Sequence, residues 1–116
     1  MSADVHPLPG DDPALAREAA GSLRIDCEPD GDGRVVLRPV GDLDLLTAPV
    51  LTEALAQRGG SGVTLVIDLA AVTFLDSSGL RALLVAHEDG AQLRSPSSPV
   101  RTTFRVARMS GILVDP

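Results

Sequence analysis

Tryptophan and tyrosine are absent and only two phenylalanines occur, so aromatics make up 2% of the chain. The core must therefore be filled by Val, Leu, Ile and Ala. A single cysteine, Cys27, excludes an internal disulfide, and its alternation with Ile25 marks it as a core residue. No apolar run reaches the roughly 20 residues that span a bilayer. The opening "MSADVHPLPGDDP" is polar and Pro-rich, without the apolar centre of a signal peptide. A cytoplasmic protein without a membrane partner is expected. Basic charge is also scarce: Lys and Arg total 10 against 16 Asp and Glu, for a net charge of −6. Nucleic-acid affinity rests on clustered cations, so nucleic acid is not an expected partner. One Cys, two His and the scattered carboxylates Asp42, Asp44 and Asp68 give no zinc spacing, and neither a metal nor a cofactor is expected.

What is present fits one ordinary globular domain. The chain has 116 residues, 44% hydrophobic and 22% charged, enough to bury a core unaided. Residues 1–21 mix Pro, Gly, Asp and Ala without a sustained period and are expected to be a mobile tail, dispensable for binding. The domain is expected over 22–116. From Leu23 the pattern alternates, with Leu23, Ile25 and Cys27 opposite Arg24, Asp26 and Glu28. After the "PDGDG" turn, "RVVLRPV" predicts an antiparallel partner strand, in which Pro39 suggests a bulge or an edge.

Further along, Thr47 is placed to cap a helix that has Pro49 in its first turn and Val50, Leu51, Ala54 and Leu55 at helical spacing. Gly59 and Gly60 end it. "GVTLVIDLAAV" is apolar at nearly every position and predicts a central strand covered on both faces. Leu80, Leu83, Leu84 and His87 then fall at i, i+3, i+4 and i+7 of an amphipathic helix, whose buried face should hold both Leu83 and Leu84. A short strand at "AQLRS" precedes a third helix, capped by Ser98, with Pro99 at its first position and Val100, Phe104 and Ala107 inward. "SGILV" offers one last short strand. The fold class predicted is α/β, a mixed sheet of about five strands with three to four helices packed mainly on one side.

Between the central strand and the second helix stands "DSSG", residues 76–79. Asp and Ser are leading helix caps, which is a sufficient structural reading. The position adds a second one, because the end of a central strand in an α/β sheet is where ligands and partners bind. Coming first after the strand, Ser77 should present its hydroxyl outward, while Ser78 lies nearer the helix and is better placed to cap it; chain order alone leaves the one-residue choice between them open. Gly79 is either a permissive dihedral or a cleared approach for an incoming active site. A nucleophilic serine would need a base within hydrogen-bond reach. His6 lies in the tail, and His87 sits roughly 14–15 Å down the same helix at 1.5 Å per residue. An enzyme is therefore not expected. "GDLD", residues 41–44, is explained well enough as an Asp-rich turn.

The element order, together with "GDLDLLTAPVL", "LVIDLAAVTFLDSSGLRALL" and "SSPVRTTFRVARMSGI", resembles the STAS family, and within it the bacterial anti-sigma factor antagonists. The resemblance spans roughly residues 22–116. It implies a domain that binds an anti-sigma factor with serine kinase activity, frees a sigma factor, and is released when phosphorylated, with a phosphatase to reverse the modification. Carried onto this sequence it makes Ser77 the acceptor, with Ser78 as runner-up. Asp76, Ser78 and Gly79 form its setting, and Asp42 and Asp44 become partner contacts. The family pattern runs on past "MSGI" into a further strand and helix, where this chain ends at "LVDP". The same fold also serves as a scaffold subunit of stressosomes or lipid-transport complexes, and that remains the alternative.

Overall fold

The computed structural model describes residues 22–31 and 33–115. The tail expected over 1–21 lies outside the described residues. β1 (Leu23–Pro29) and β2 (Arg34–Leu43) form the antiparallel hairpin, in register from Leu23 opposite Gly41 to Pro29 opposite Val35. On its other side β2 takes two strands in line. β3 (Thr64–Asp68) pairs parallel with its first half and β4 (Val72–Leu75) with its last residues. β5 (Gln92–Arg94) lies parallel to β3, and the two-residue β6 (Leu113–Val114) parallel to β5. The result is a six-stranded mixed sheet in the order β1-β2-β3-β5-β6, with β4 on β2.

The single central strand expected over "GVTLVIDLAAV" is thus two. Asp68 turns the chain between them: its Oδ1 accepts from Ala70 N at 3.0 Å, while Val72 N donates to Leu69 O at 3.3 Å. Pro39 explains why the break is tolerated. It lies on β2 between Leu37, the last partner of β3, and Gly41, the first partner of β4. Backbone groups alternate sides along a strand, and Gly41 N donates to Ala71 O, so Pro39 faces the same side without an N–H to offer. The proline therefore sits in a central strand, neither at an edge nor in a bulge. The register shift falls two residues later, between Gly41 and Asp42. Gly41 has φ +123°, and a Cβ there would stand 2.0 Å from Ser22 O, so no other residue fits.

Three helices, α1 (Ala48–Arg58), α2 (Ser77–Glu88) and α3 (Ser98–Val106), share one core with the inward face of the sheet. Leu51, Ile67, Leu83, Leu93, Val100 and Phe104 are fully buried in it. A 3-10 turn at Ser110–Ile112 leads into β6. The opposite face of the sheet carries charge instead. Arg38 reaches Asp68 at 3.2 Å and Glu28 at 3.8 Å, and Arg94 reaches Asp68 at 3.9 Å and Asp30 at 3.8 Å. Those pairs, with the Ala70 N–H, are what permit Asp68 to be 7% exposed. Cys27 is half-buried.

Three local expectations are corrected. Ser97, not Ser98, is the N-cap of α3, and its hydroxyl donates to Val72 O at 2.6 Å. Ala107 is the exposed C-cap of that helix rather than an inward residue. His87 is exposed, because the buried stripe of α2 runs through Gly79, Leu83 and Ala86. Leu80 and Leu84 flank that stripe half-buried.

Candidate functional site

β2 and β4 are adjacent and parallel, so their C-terminal ends open side by side. The loop after β2 and the N-terminus of α2 consequently meet at one edge of the sheet. This brings Asp42, Asp44, Asp76, Ser77, Ser78 and Gly79 together.

The first loop is built around Thr47, which is fully buried. Its hydroxyl donates to Asp42 O at 2.8 Å and accepts from Asp44 N at 2.9 Å. Asp44 returns the support, its Oδ1 accepting from Leu46 N and Thr47 N, both at 3.0 Å. Asp42 is tied across the strands, with Thr73 Oγ1 donating to its Oδ1 at 2.7 Å. In both acids Oδ1 carries these bonds, and both side chains are half-buried.

The second element starts at Asp76, whose backbone N–H donates to Leu43 O at 3.3 Å. Asp76 is the N-cap of α2: its Oδ1 accepts from Gly79 N at 2.9 Å. The cap expected of Ser78 is therefore supplied by Asp76. Its extended backbone, φ −102° and ψ −173°, turns the carboxylate back over the first turn, whereas both serines are already helical. Neither serine hydroxyl has a hydrogen-bond partner among the described residues. Ser77 is exposed and Ser78 half-buried. Gly79 is buried for a reason that neither sequence reading foresaw. A Cβ there would stand 2.3 Å from Leu43 O and 2.6 Å from Leu75 Cδ1. The missing side chain is what lets α2 seat its first turn on the end of β2.

Two features of this edge were not anticipated. Leu45, 67% exposed, follows Asp44, and Phe74, 49% exposed, pairs with Asp42 in the β2–β4 register. A Leu-Leu pair directly after the Asp-rich turn, and an aromatic in a chain with 2% of them, were the signals available. His87 stands in the last turn of α2, at the far end from both serines, so the helix brings them no base.

Known proteins resemble this chain in sequence and in fold. The chain is 45% identical over 60 residues to the anti-sigma-F factor antagonist RsfB of Mycobacterium tuberculosis, in both the CDC 1551 and H37Rv strains; that match covers 51% of this chain and 49% of the relative, so about half the length of each. Among solved structures, the anti-sigma factor antagonist from Mycobacterium paratuberculosis superposes with a TM-score of 0.71 at 29% identity, covering 82% of this chain and 86% of that one. The unphosphorylated form of the anti-sigma factor antagonist SpoIIAA gives 0.65 at 22% identity, covering 80% and 88%, a likeness of fold. The family model described as "Mlab, STAS domain" matches residues 27–115, which takes in the whole edge from Asp42 to Gly79. The chain belongs to the STAS domain family.

Proposed function

We propose that this chain is an anti-sigma factor antagonist, acting in the cytoplasm. It binds an anti-sigma factor with serine kinase activity and so frees a sigma factor, until phosphorylation of Ser77 ends the contact. Its own part is to bind rather than to catalyse. The observation that carries the reading is the state of Ser77, exposed at the first position of α2 with an unengaged hydroxyl, at the same edge as exposed Leu45 and Phe74. The name of the RsfB relative points the same way. Leu45 and Phe74 supply apolar contact area, and Asp42 and Asp44 offer Oδ2 to basic groups of the partner. Ser78 lies beside the acceptor, and Gly79 serves the site from inside by seating α2.

In the transfer, Ser77 Oγ attacks the γ-phosphorus of ATP, its proton passes to a base of the kinase, and ADP leaves. The product carries a charge of about −1.5 to −2 beside Asp76. Desolvating that charge at an interface formed around a neutral hydroxyl is costly, so the complex dissociates. A phosphatase then restores the hydroxyl. Described residues contain no helix long and apolar enough to cross a membrane.

Incubation with candidate anti-sigma kinases and ATP, followed by mass spectrometry, tests the reading. Phosphate should map to Ser77; Ser77→Ala should refuse it and bind the partner constitutively, and Ser77→Glu should bind weakly. Phosphate on Ser78, or a Ser77→Glu variant that binds as tightly as wild type, refutes the assignment. Co-purification with a membrane transport complex instead of an anti-sigma factor would favour the scaffold alternative.

A further inference from the structure

The chain contains no lysine, and all 10 of its basic side chains are arginines. Arg24, Arg34, Arg38, Arg94 and Arg101 are each paired with a carboxylate. Arg81 has no hydrogen bond or ion pair among the described residues and is exposed. It stands four residues after Ser77 on α2. That spacing puts the two Cβ atoms about 5–6 Å apart on one face of the helix. Cα–Cβ bonds tilt toward the helix N-terminus, so the long Arg81 side chain extends toward Ser77 rather than away from it. The remaining charges of this edge, Asp42, Asp44 and Asp76, are all acids, each already accepting a hydrogen bond: Asp44 and Asp76 within their own turns, Asp42 from Thr73 on the neighbouring strand.

We propose that Arg81 is the intramolecular partner of the phosphate on Ser77, an inference that rests on Ser77 being the modified residue. The order is the favourable one, with the anion one turn N-terminal to the cation. A guanidinium also presents a planar fork of donors that matches two phosphate oxygens at once. Before modification the edge carries the three acids Asp42, Asp44 and Asp76 against the single positive charge of Arg81. Arg81 then lines a groove of about 720 Å³ between α1 and α2, with Thr52, Leu55, Ser78, Ala82 and Val85. Afterwards the phosphate holds the guanidinium at the motif. Phosphorylation thus does two things at the binding edge: it adds an anion and withdraws the free cation that a partner's acidic groups would otherwise meet.

The test uses the full chain with phosphoserine installed at position 77 during synthesis, so the contact is measured whether or not a kinase delivers the phosphate. A phosphorus-31 NMR titration should show the phosphate's second pKa higher in Arg81→Gln than in wild type. The expected rise is about 0.3 pH units, or about 0.4 kcal/mol at about 1.36 kcal/mol per unit. The difference should collapse in 1 M salt, and Arg81→Lys should retain part of it. Unphosphorylated Arg81→Gln should melt like wild type. Superimposable titrations of wild type and Arg81→Gln overturn the proposal. A kinase that leaves Ser77 of the wild-type chain unmodified refutes the functional reading instead, and does not alter the titration.

Discussion

Replacing Gly79 with alanine should destabilise the domain, although the same change in an exposed helix stabilises by about 0.8–1 kcal/mol. The added methyl would meet Leu43 O at 2.3 Å, Leu43 C at 2.9 Å and Leu75 Cδ1 at 2.6 Å. Leu75 can rotate, but Leu43 is backbone at the end of a strand that pairs on both sides. The displacement must then fall on the first turn of α2, which has to retreat by about 1 Å to regain ordinary contact. Overpacking of this kind costs about 1–3 kcal/mol. The bond from Asp76 N to Leu43 O, already 3.3 Å long, would be lost for about 0.5–1.5 kcal/mol more. Set against the helical gain, the net loss is about 2 kcal/mol, or roughly 8–16 °C in Tm for a domain of this size. Far-UV circular dichroism during thermal and urea unfolding measures it, since the chain has no Trp or Tyr for fluorescence. Gly60→Ala is the control, because nothing lies within 4 Å of its Cβ position and its φ is unexceptional; it should stay within about 0.5 kcal/mol of wild type. A Gly79→Ala variant as stable as wild type would refute the close-approach argument.

Leu83→Ala should lose about 2–5 kcal/mol through a cavity, because Leu83 has no exposure; half-buried Leu84→Ala should lose clearly less, and equal losses in urea unfolding would contradict the register of α2. Asp76→Ala should cost about 1 kcal/mol for the lost cap, whereas Ser78→Ala should stay within about 0.5 kcal/mol; the reverse order would return the cap to Ser78. Asp115 is held below its ordinary value of 3.8 chiefly by its hydrogen bond from Arg101, and also by the attraction of that charge, against the opposing loss of hydration. The folded value is the lower one, so the contact's contribution is complete above the unfolded value and is lost as pH falls through the folded one. Carboxyl NMR titration should therefore find Asp115 titrating higher in Arg101→Gln than in wild type, and unchanged titration would exclude the pairing.

The hairpin was legible because Leu23, Ile25 and Cys27 alternate with charged residues, a period that only a half-buried strand satisfies. The helices were legible from their apolar spacing, and the edge that carries the motif followed from a strand running straight into a helix. The break between β3 and β4 was not, since both halves are apolar and the residue that lets β2 tolerate it, Pro39, belongs to the neighbouring strand. The stripe of α2 was read one position off because its first buried member is Gly79, which has no side chain for a hydropathy pattern to count. The cap was misplaced for a related reason. Asp76, Ser77 and Ser78 are all competent caps, and only the backbone angles decide which of them turns back over the helix.

Among the described residues β4 pairs with β2 alone, which leaves its other edge without a strand partner, directly before the turn at Asp76–Gly79. Asp76 N points at β2, so the Leu75 carbonyl, which shares its peptide unit, points the other way. That carbonyl accepts the hydroxyl of Thr103 at 3.2 Å, and the Val72 carbonyl accepts the hydroxyl of Ser97 at 2.6 Å. Side chains thus fill acceptor positions that would otherwise template an incoming strand. Pairing of exposed strand edges is a common route to aggregation, and these two bonds leave the edge of β4 fewer acceptors for a second copy of the chain. The hydroxyls of Ser97 and Thr103 thus guard a strand edge as well as fixing α3 and its cap against the sheet.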